Sequence, residues 1–172
     1  MSQPKLFLFI GYPGAGKTTI AKIIADKTGA KHIWADVERH KLFNDPDHSV
    51  QESHELYERL NAATDYLLNQ NKSVVFDTNF NYFADREKLR EIAKKHDALT
   101  VLIWVNTPRE IAKKRSVETK ESRNLYEMQM SSGQFESIAG KLEPPKENEK
   151  PIRINGTKTD KKEVLTKLKD YL

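Results

Sequence analysis

Cysteine is absent from the 172-residue chain. That excludes a disulfide partner, a thiol nucleophile and any Cys-ligated zinc or iron–sulfur centre. Long hydrophobic runs are missing as well. The apolar run Leu6 to Ile10 falls far short of the roughly 20 residues that a membrane span requires. No small-residue cleavage site of a signal peptide accompanies it, so no membrane partner is expected and the cytoplasm is the expected location. Neither sign of charge dominates: 29 Lys and Arg face 25 Asp and Glu, a net +4. This balance permits an anionic partner without demanding one. The histidines (His32, His40, His48, His54 and His96) show no metal-ligand spacing. At 19.9 kDa the chain is long enough for one core and too short for two, which predicts a single domain over 1–172.

What is present is an alternation of strand-like and helical patterns. Lys5–Gly11, His32–Ala35, Ser73–Asp77, Thr100–Val105 and Ile152–Ile154 read as strands. Between them, Ile20, Ala21, Ile23 and Ile24 form one apolar helical face. Leu56, Leu60, Ala63 and Leu67 form another. Ser49 and Glu52 have capping-box spacing, and Thr107-Pro108-Arg109-Glu110 reads as a cap with proline at the first helical position. Pro144-Pro145 opens a loop, and Asp160 and Glu163 open a last helix. Such alternation predicts a three-layer α/β sandwich, a parallel sheet of about five strands with helices on both faces.

Gly11-Tyr12-Pro13-Gly14-Ala15-Gly16-Lys17-Thr18 fits the phosphate-loop (P-loop) pattern, a glycine, four residues, then Gly-Lys-Ser/Thr, with Thr19 following. Small residues let successive backbone N–H groups turn inward around a polyphosphate. The helix opening at Gly16 aims its free amides at the same place. Lys17 would reach the outer phosphates and the Thr18 hydroxyl would bind Mg2+. A nucleoside triphosphate, ATP with Mg2+, is the expected cofactor pair.

The use of the triphosphate is narrowed by what does not follow. Asn71-Lys72 continues with Ser73-Val74, so the Asn-Lys-x-Asp guanine reader of signalling GTPases is missing there. Val74-Val75-Phe76-Asp77 is followed by Thr78-Asn79, without the Glu by which motor ATPases polarise water. A kinase remains. Asp36, just after the second strand, would stand at the carboxyl edge of the sheet, where it could orient an acceptor hydroxyl and take its proton. Arg39, three residues on, could grip a phosphate on the acceptor or simply pair with Asp36. Asp77 could hold magnesium through water, while Thr78 and Asn79 would face the acceptor. Phe43, Tyr57, Tyr82 and Phe83 could stack on a base, although each also fits core or ordinary surface.

The P-loop (11 to 19), Asp36-x-x-Arg39, Asp77-Thr-Asn-x-Asn81 with Arg86, and Pro108 followed by Arg115 together resemble the kinase domain of the polynucleotide 5'-hydroxyl kinases. The wider group includes zeta toxins and chloramphenicol phosphotransferase. This resemblance spans about Phe7 to Arg123. It implies ATP and magnesium binding by Lys17 and Thr18, and Asp36 as general base. It also implies contact of Arg39 with a phosphate beside the acceptor nucleoside, and an acceptor or metal role for Asp77. The acceptor side would run over about 36–72 and a basic lid over about 113–140. Arg115 would be one lid cation, with Arg123 or Lys120 a second. The acceptor expected from the resemblance is a nucleic acid 5' end. A small metabolite, nucleoside or antibiotic is the alternative, and a non-catalytic ATP-binding regulatory module is a third reading.

Overall fold

The computed structural model describes residues 3–79, 81–118 and 130–172. Its elements in chain order are β1 (Lys5–Ile10), α1 (Lys17–Thr28), β2 (Lys31–Trp34), α2 (Ala35–Leu42), α3 (Val50–Asn69), β3 (Val74–Asp77) and α4 (Phe83–Lys95). They continue with β4 (Leu99–Asn106), α5 (Arg109–Val117), α6 (Ser132–Ala139), β5 (Ile152–Asn155) and α7 (Lys161–Lys167). All pairings in the sheet are parallel, in the order β2-β3-β1-β4-β5. This is the three-layer α/β sandwich expected from the alternation.

Side chains alternate across each strand and so feed two cores. Leu6, Leu8 and Ile10 of β1, with Val74 and Phe76 of β3, pack against Leu56 and Leu60 of α3 and Leu89 and Ala93 of α4. Phe7 and Phe9, with Val75 and Ile103, pack on the opposite face against Ile20 and Ile24 of α1 and Val164 of α7. Each fully buried Leu, Ile or Phe contributes about 1.5–3 kcal/mol, so the sheet is fixed before any loop is considered. A small third cluster, Ala112 of α5 with Phe135 and Ala139 of α6, lies beside the P-loop.

Two expected caps form differently. The Ser49 hydroxyl accepts from the Glu52 N–H, but the Glu52 carboxylate does not return to Ser49. It accepts instead from the Asp47 N–H (2.7 Å), the His48 N–H (3.3 Å) and the Arg39 guanidinium. Thr107 caps nothing. Pro108 occupies the cap position of α5, and the Thr107 hydroxyl donates 2.8 Å to the Ala15 carbonyl. A complete capping box does occur at α6, between Ser131 and Gln134.

After Pro144-Pro145 comes a 3-10 turn, Glu147–Glu149. The Glu149 side chain is buried and takes the Arg86 guanidinium at 2.7 and 2.9 Å. Another Arg86 N–H donates 3.2 Å to the Asn81 carbonyl. This tie fastens the turn beyond β3 to the crossover that leads into β5.

Candidate functional site

The register Trp34↔Asp77 ends β2 and β3 level with each other. Asp36 therefore follows at the same carboxyl edge on which Asp77 terminates β3. Asp77 shares with Val75 the sheet face covered by α1, and α1 begins with Lys17. Three charged groups thus meet at one edge.

Lys17 is buried, with its ammonium donating to the Gly11 carbonyl (2.9 Å) and the Tyr12 carbonyl (2.8 Å). Burial lowers its pKa to about 8, against the opposing pull of the Asp77 and Asp36 carboxylates. Asp36 is half-buried in the first turn of α2. Its pKa is raised by burial and by the neighbouring Asp77, with Lys17, Arg39 and His48 pulling the other way. Such a carboxylate is a stronger base than an exposed one. Asp77 is almost fully buried and lies 3.1 Å from the His32 imidazole.

The loop itself is held from outside. Gly14, at φ +77°, has no room for a Cβ, which would sit 2.4 Å from the Ala112 carbonyl and 2.5 Å from the Ser116 hydroxyl of α5. Gly156, after β5, is equally confined. A Cβ there would meet the Ala15 carbonyl and the Thr107 hydroxyl at 2.1 Å. Arg115 fastens both sides, donating to the carbonyls of Gly14 (3.3 Å), Gly156 (2.8 Å) and Thr157 (2.7 Å). It reaches the P-loop, as its sequence position suggests, but its guanidinium is engaged with backbone. Tyr12 packs on Phe135 of α6, ring centroids 6.3 Å apart. Pro13 is buried, Thr18 partly exposed and Thr19 exposed.

Arg39 is buried and ion-paired with Glu52, and it also donates 3.2 Å to the Ser53 hydroxyl. Thr78 is buried and Asn79 exposed. In the lid region, Lys113 and Arg109 of α5 are both drawn to Glu136 of α6. Arg123 and Lys120 lie outside the described residues.

Four residues beyond those marked by the sequence motifs enter the site: His32, Gly156, Glu52, which has only cap spacing, and Tyr57, which fits a stacking ring. A period-2 reading of His32 against Val75 would have put it on the face of Asp77. The helical stripe of α3 would have extended through Tyr57. No local signal marks the other two, whose partners lie on different elements.

A family model described as an AAA domain matches residues 6–145. The chain belongs to the AAA domain family. Over 133 aligned positions, covering 71% of this AAA domain chain and 51% of the relative, the chain is 29% identical to an L-seryl-tRNA(Sec) kinase from Methanococcus maripaludis. The chain thus spans about half the length of this curated relative. Among solved structures, the fold is similar to a sugar kinase from Janibacter sp. HTCC2649 (TM-score 0.69, 20% identity, 98% of this chain and 95% of that one). It is also similar to the APS kinase CysC of Mycobacterium tuberculosis in complex with AMPPNP and APS (TM-score 0.67, 18% identity, 98% and 99%).

Thr18 follows Lys17 in the first turn of α1, and Asp77 lies within electrostatic reach of Lys17; a hydroxyl and a carboxylate are oxygen donors of the kind a hard cation takes. Among the described residues no group of three His, Cys, Asp or Glu side chains could hold a metal by itself. Among the described residues, too, no helix is long and apolar enough to cross a membrane.

Proposed function

We propose that this AAA domain protein is an ATP-dependent kinase that transfers the γ-phosphoryl group to the hydroxyl of a small molecule. The observation that carries this reading is the meeting of Lys17, Asp36 and Asp77 at one sheet edge, beside a loop shaped for polyphosphate. The similarity to the sugar kinase and to the APS kinase supports a small acceptor.

In this reading the loop amides wrap the β- and γ-phosphates, and Lys17 leaves the Gly11 and Tyr12 carbonyls to reach them. The acceptor oxygen forms a bond to the γ-phosphorus as the bond from phosphorus to the β,γ-bridging oxygen breaks, and ADP departs. The acceptor proton passes to the Asp36 carboxylate late in the step, because phosphoryl transfer is loose and the alcohol acidifies only as its new bond forms. Thr18 and Asp77 would hold Mg2+, which would neutralise charge on the phosphates. Arg115 acts here as a fastener, keeping α5 and the segment after β5 against the loop so that its amides are preorganised.

The test is transfer from ATP labelled at the γ-phosphate to a panel of small alcohols and 5'-hydroxyl oligonucleotides. Label on a small alcohol is expected. Label confined to oligonucleotide 5' ends would favour the polynucleotide reading, which rests on the Asp36-x-x-Arg39 and Asp77-Thr-Asn likeness. ATP that is bound but turned over equally with and without any acceptor would mark a nucleotide-binding module.

A further inference from the structure

Buried polar side chains ordinarily find partners inside the protein. Asn81 does not. Thr78 is 4% exposed and Asn81 3% exposed; both polar atoms of the Asn81 carboxamide lack a hydrogen bond, and the Thr78 hydroxyl has the Tyr57 phenol beside it, short of ordinary geometry. Both residues belong to the turn at the end of β3, next to Asp77. The Asn81 backbone is fixed from two sides, its carbonyl accepting from Arg86 (3.2 Å) and from the Glu143 N–H (2.9 Å). The backbone is therefore held firmly around a carboxamide that the protein itself leaves unsatisfied.

Tyr57 of α3 comes to the same place. Its phenol sits beside the Thr78 hydroxyl and within electrostatic reach of Arg39 and Asp36. Burial pushes its pKa up to about 12, so it remains a neutral donor at any working pH. Among the described residues, the cation that sits beside this phenol, Arg39, is offset by Glu52. That carboxylate is fixed in turn by the backbone amides of Asp47 and His48. The groups that remain here, the Asn81 carboxamide, the Thr78 hydroxyl and the Tyr57 phenol, are uncharged and able to hydrogen-bond.

We propose that Tyr57, Thr78 and Asn81 read the acceptor, and that the acceptor is an uncharged polyhydroxy compound, a neutral sugar or polyol. A carboxamide and two hydroxyls both donate and accept, as a row of alcohol groups does. A phosphate-bearing acceptor would instead seek an unpaired guanidinium. This inference rests on the kinase reading above and narrows its substrate.

The experiment has two arms. In the first, the full chain with ATP and Mg2+ is offered glycerol, ribose, glucose and myo-inositol alongside nucleoside 3'-monophosphates. At least one neutral polyol is expected to show kcat/KM at least roughly 100-fold above every phosphorylated compound, well within the roughly 10⁴-fold and more by which a site built for hydroxyls can discriminate. A phosphorylated acceptor that matches or exceeds the polyols overturns the inference but leaves the kinase reading intact. If nothing accepts phosphate, the kinase reading itself fails and takes the inference with it.

The second arm begins on the free protein and ends on the acceptor KM. Asn81→Leu replaces an unsatisfied carboxamide by an apolar group of similar shape, and Thr78→Val removes a hydroxyl beside the Tyr57 phenol alone, so the free proteins should lose little or nothing in unfolding temperature. In the same variants the KM for the polyol should rise about tenfold or more, the size expected for one lost hydrogen bond in a closed site, with KM for ATP unmoved. A fall of several degrees in Tm with the acceptor KM unchanged would show both side chains to be structural and would overturn the inference.

Discussion

The Glu52 carboxylate holds the Arg39 guanidinium inside the protein, with their side chains 8% and 9% exposed. Glu52 stands where a capping-box glutamate would close back on its own helix, and it turns away from that role to meet an arginine on the preceding helix. One residue thereby joins α2, which carries Asp36, to the loop that precedes α3.

Removing one partner of such a pair strands the other charge. Glu52→Ala should destabilise the protein by about 3–5 kcal/mol, read as a lowered urea midpoint. The double variant Arg39→Met with Glu52→Leu should recover most of that loss, since a well-packed apolar pair can replace a buried ion pair. A Glu52→Ala protein as stable as the parent would mean that water already screens the pair.

Glu149 predicts an acid-sensitive tie. Burial alone would raise its pKa. Hydrogen bonds from Arg86, from Arg90 and from the Lys146 N–H outweigh burial and hold it at about 2. A carboxyl held below its unfolded value stabilises the fold above about pH 4.5 and loses that contribution as pH falls towards 2. The shift corresponds to roughly 3 kcal/mol. Denaturation midpoints measured between pH 6 and pH 3 should drop, and Glu149→Gln should flatten that drop while lowering stability at neutral pH.

Gly156 offers a purely steric test. Gly156→Ala would force a methyl group against the Ala15 carbonyl and the Thr107 hydroxyl. The P-loop would have to shift, so ATP affinity should fall about tenfold or more, the loss expected from misplacing a bound group by a fraction of an ångström. Isothermal titration with a non-hydrolysable ATP analogue measures it. Unchanged affinity would mean that the loop does not depend on this contact.

The pH profile should carry two limbs. On the acid side, kcat/KM should rise as Asp36 ionises, at a pH above that of an ordinary aspartate because its pKa is raised. On the alkaline side, kcat/KM for ATP should fall near pH 8 as Lys17 of the free protein loses its proton. Lys17→Arg, which stays charged, should remove the alkaline limb even at reduced activity.

The sequence made the sheet, the P-loop and the carboxyl-edge placement of Asp36 and Asp77 readable, because each follows from local spacing or from strand–helix alternation. The strand alternation in Leu6–Ile10 even separates the two cores. Pairings between distant elements were not readable. Thr107 looks like a cap and bonds Ala15, 92 positions away in the chain. Glu149 looks like part of a solvated charged loop and is the partner of Arg86. Arg39 has the spacing to meet Asp36 on one helix face, yet it turns to Glu52, because a carboxylate already fixed by two backbone amides is the better-organised acceptor. Local patterns specify what a residue can do, and tertiary geometry selects among the options.

Asp36 opposite Lys17 is the relationship on which the kinase reading depends, and one substitution isolates it. Asp36→Asn keeps the shape of the side chain, removes the base, and relieves a half-buried carboxylate whose raised pKa disfavours ionisation in the folded state. Phosphoryl transfer, measured at saturating acceptor alongside the affinity for ATP and Tm, should fall by roughly 100-fold or more. ATP affinity should stay within a few-fold, and Tm at neutral pH should rise. Transfer at the parental rate in that variant would contradict the account.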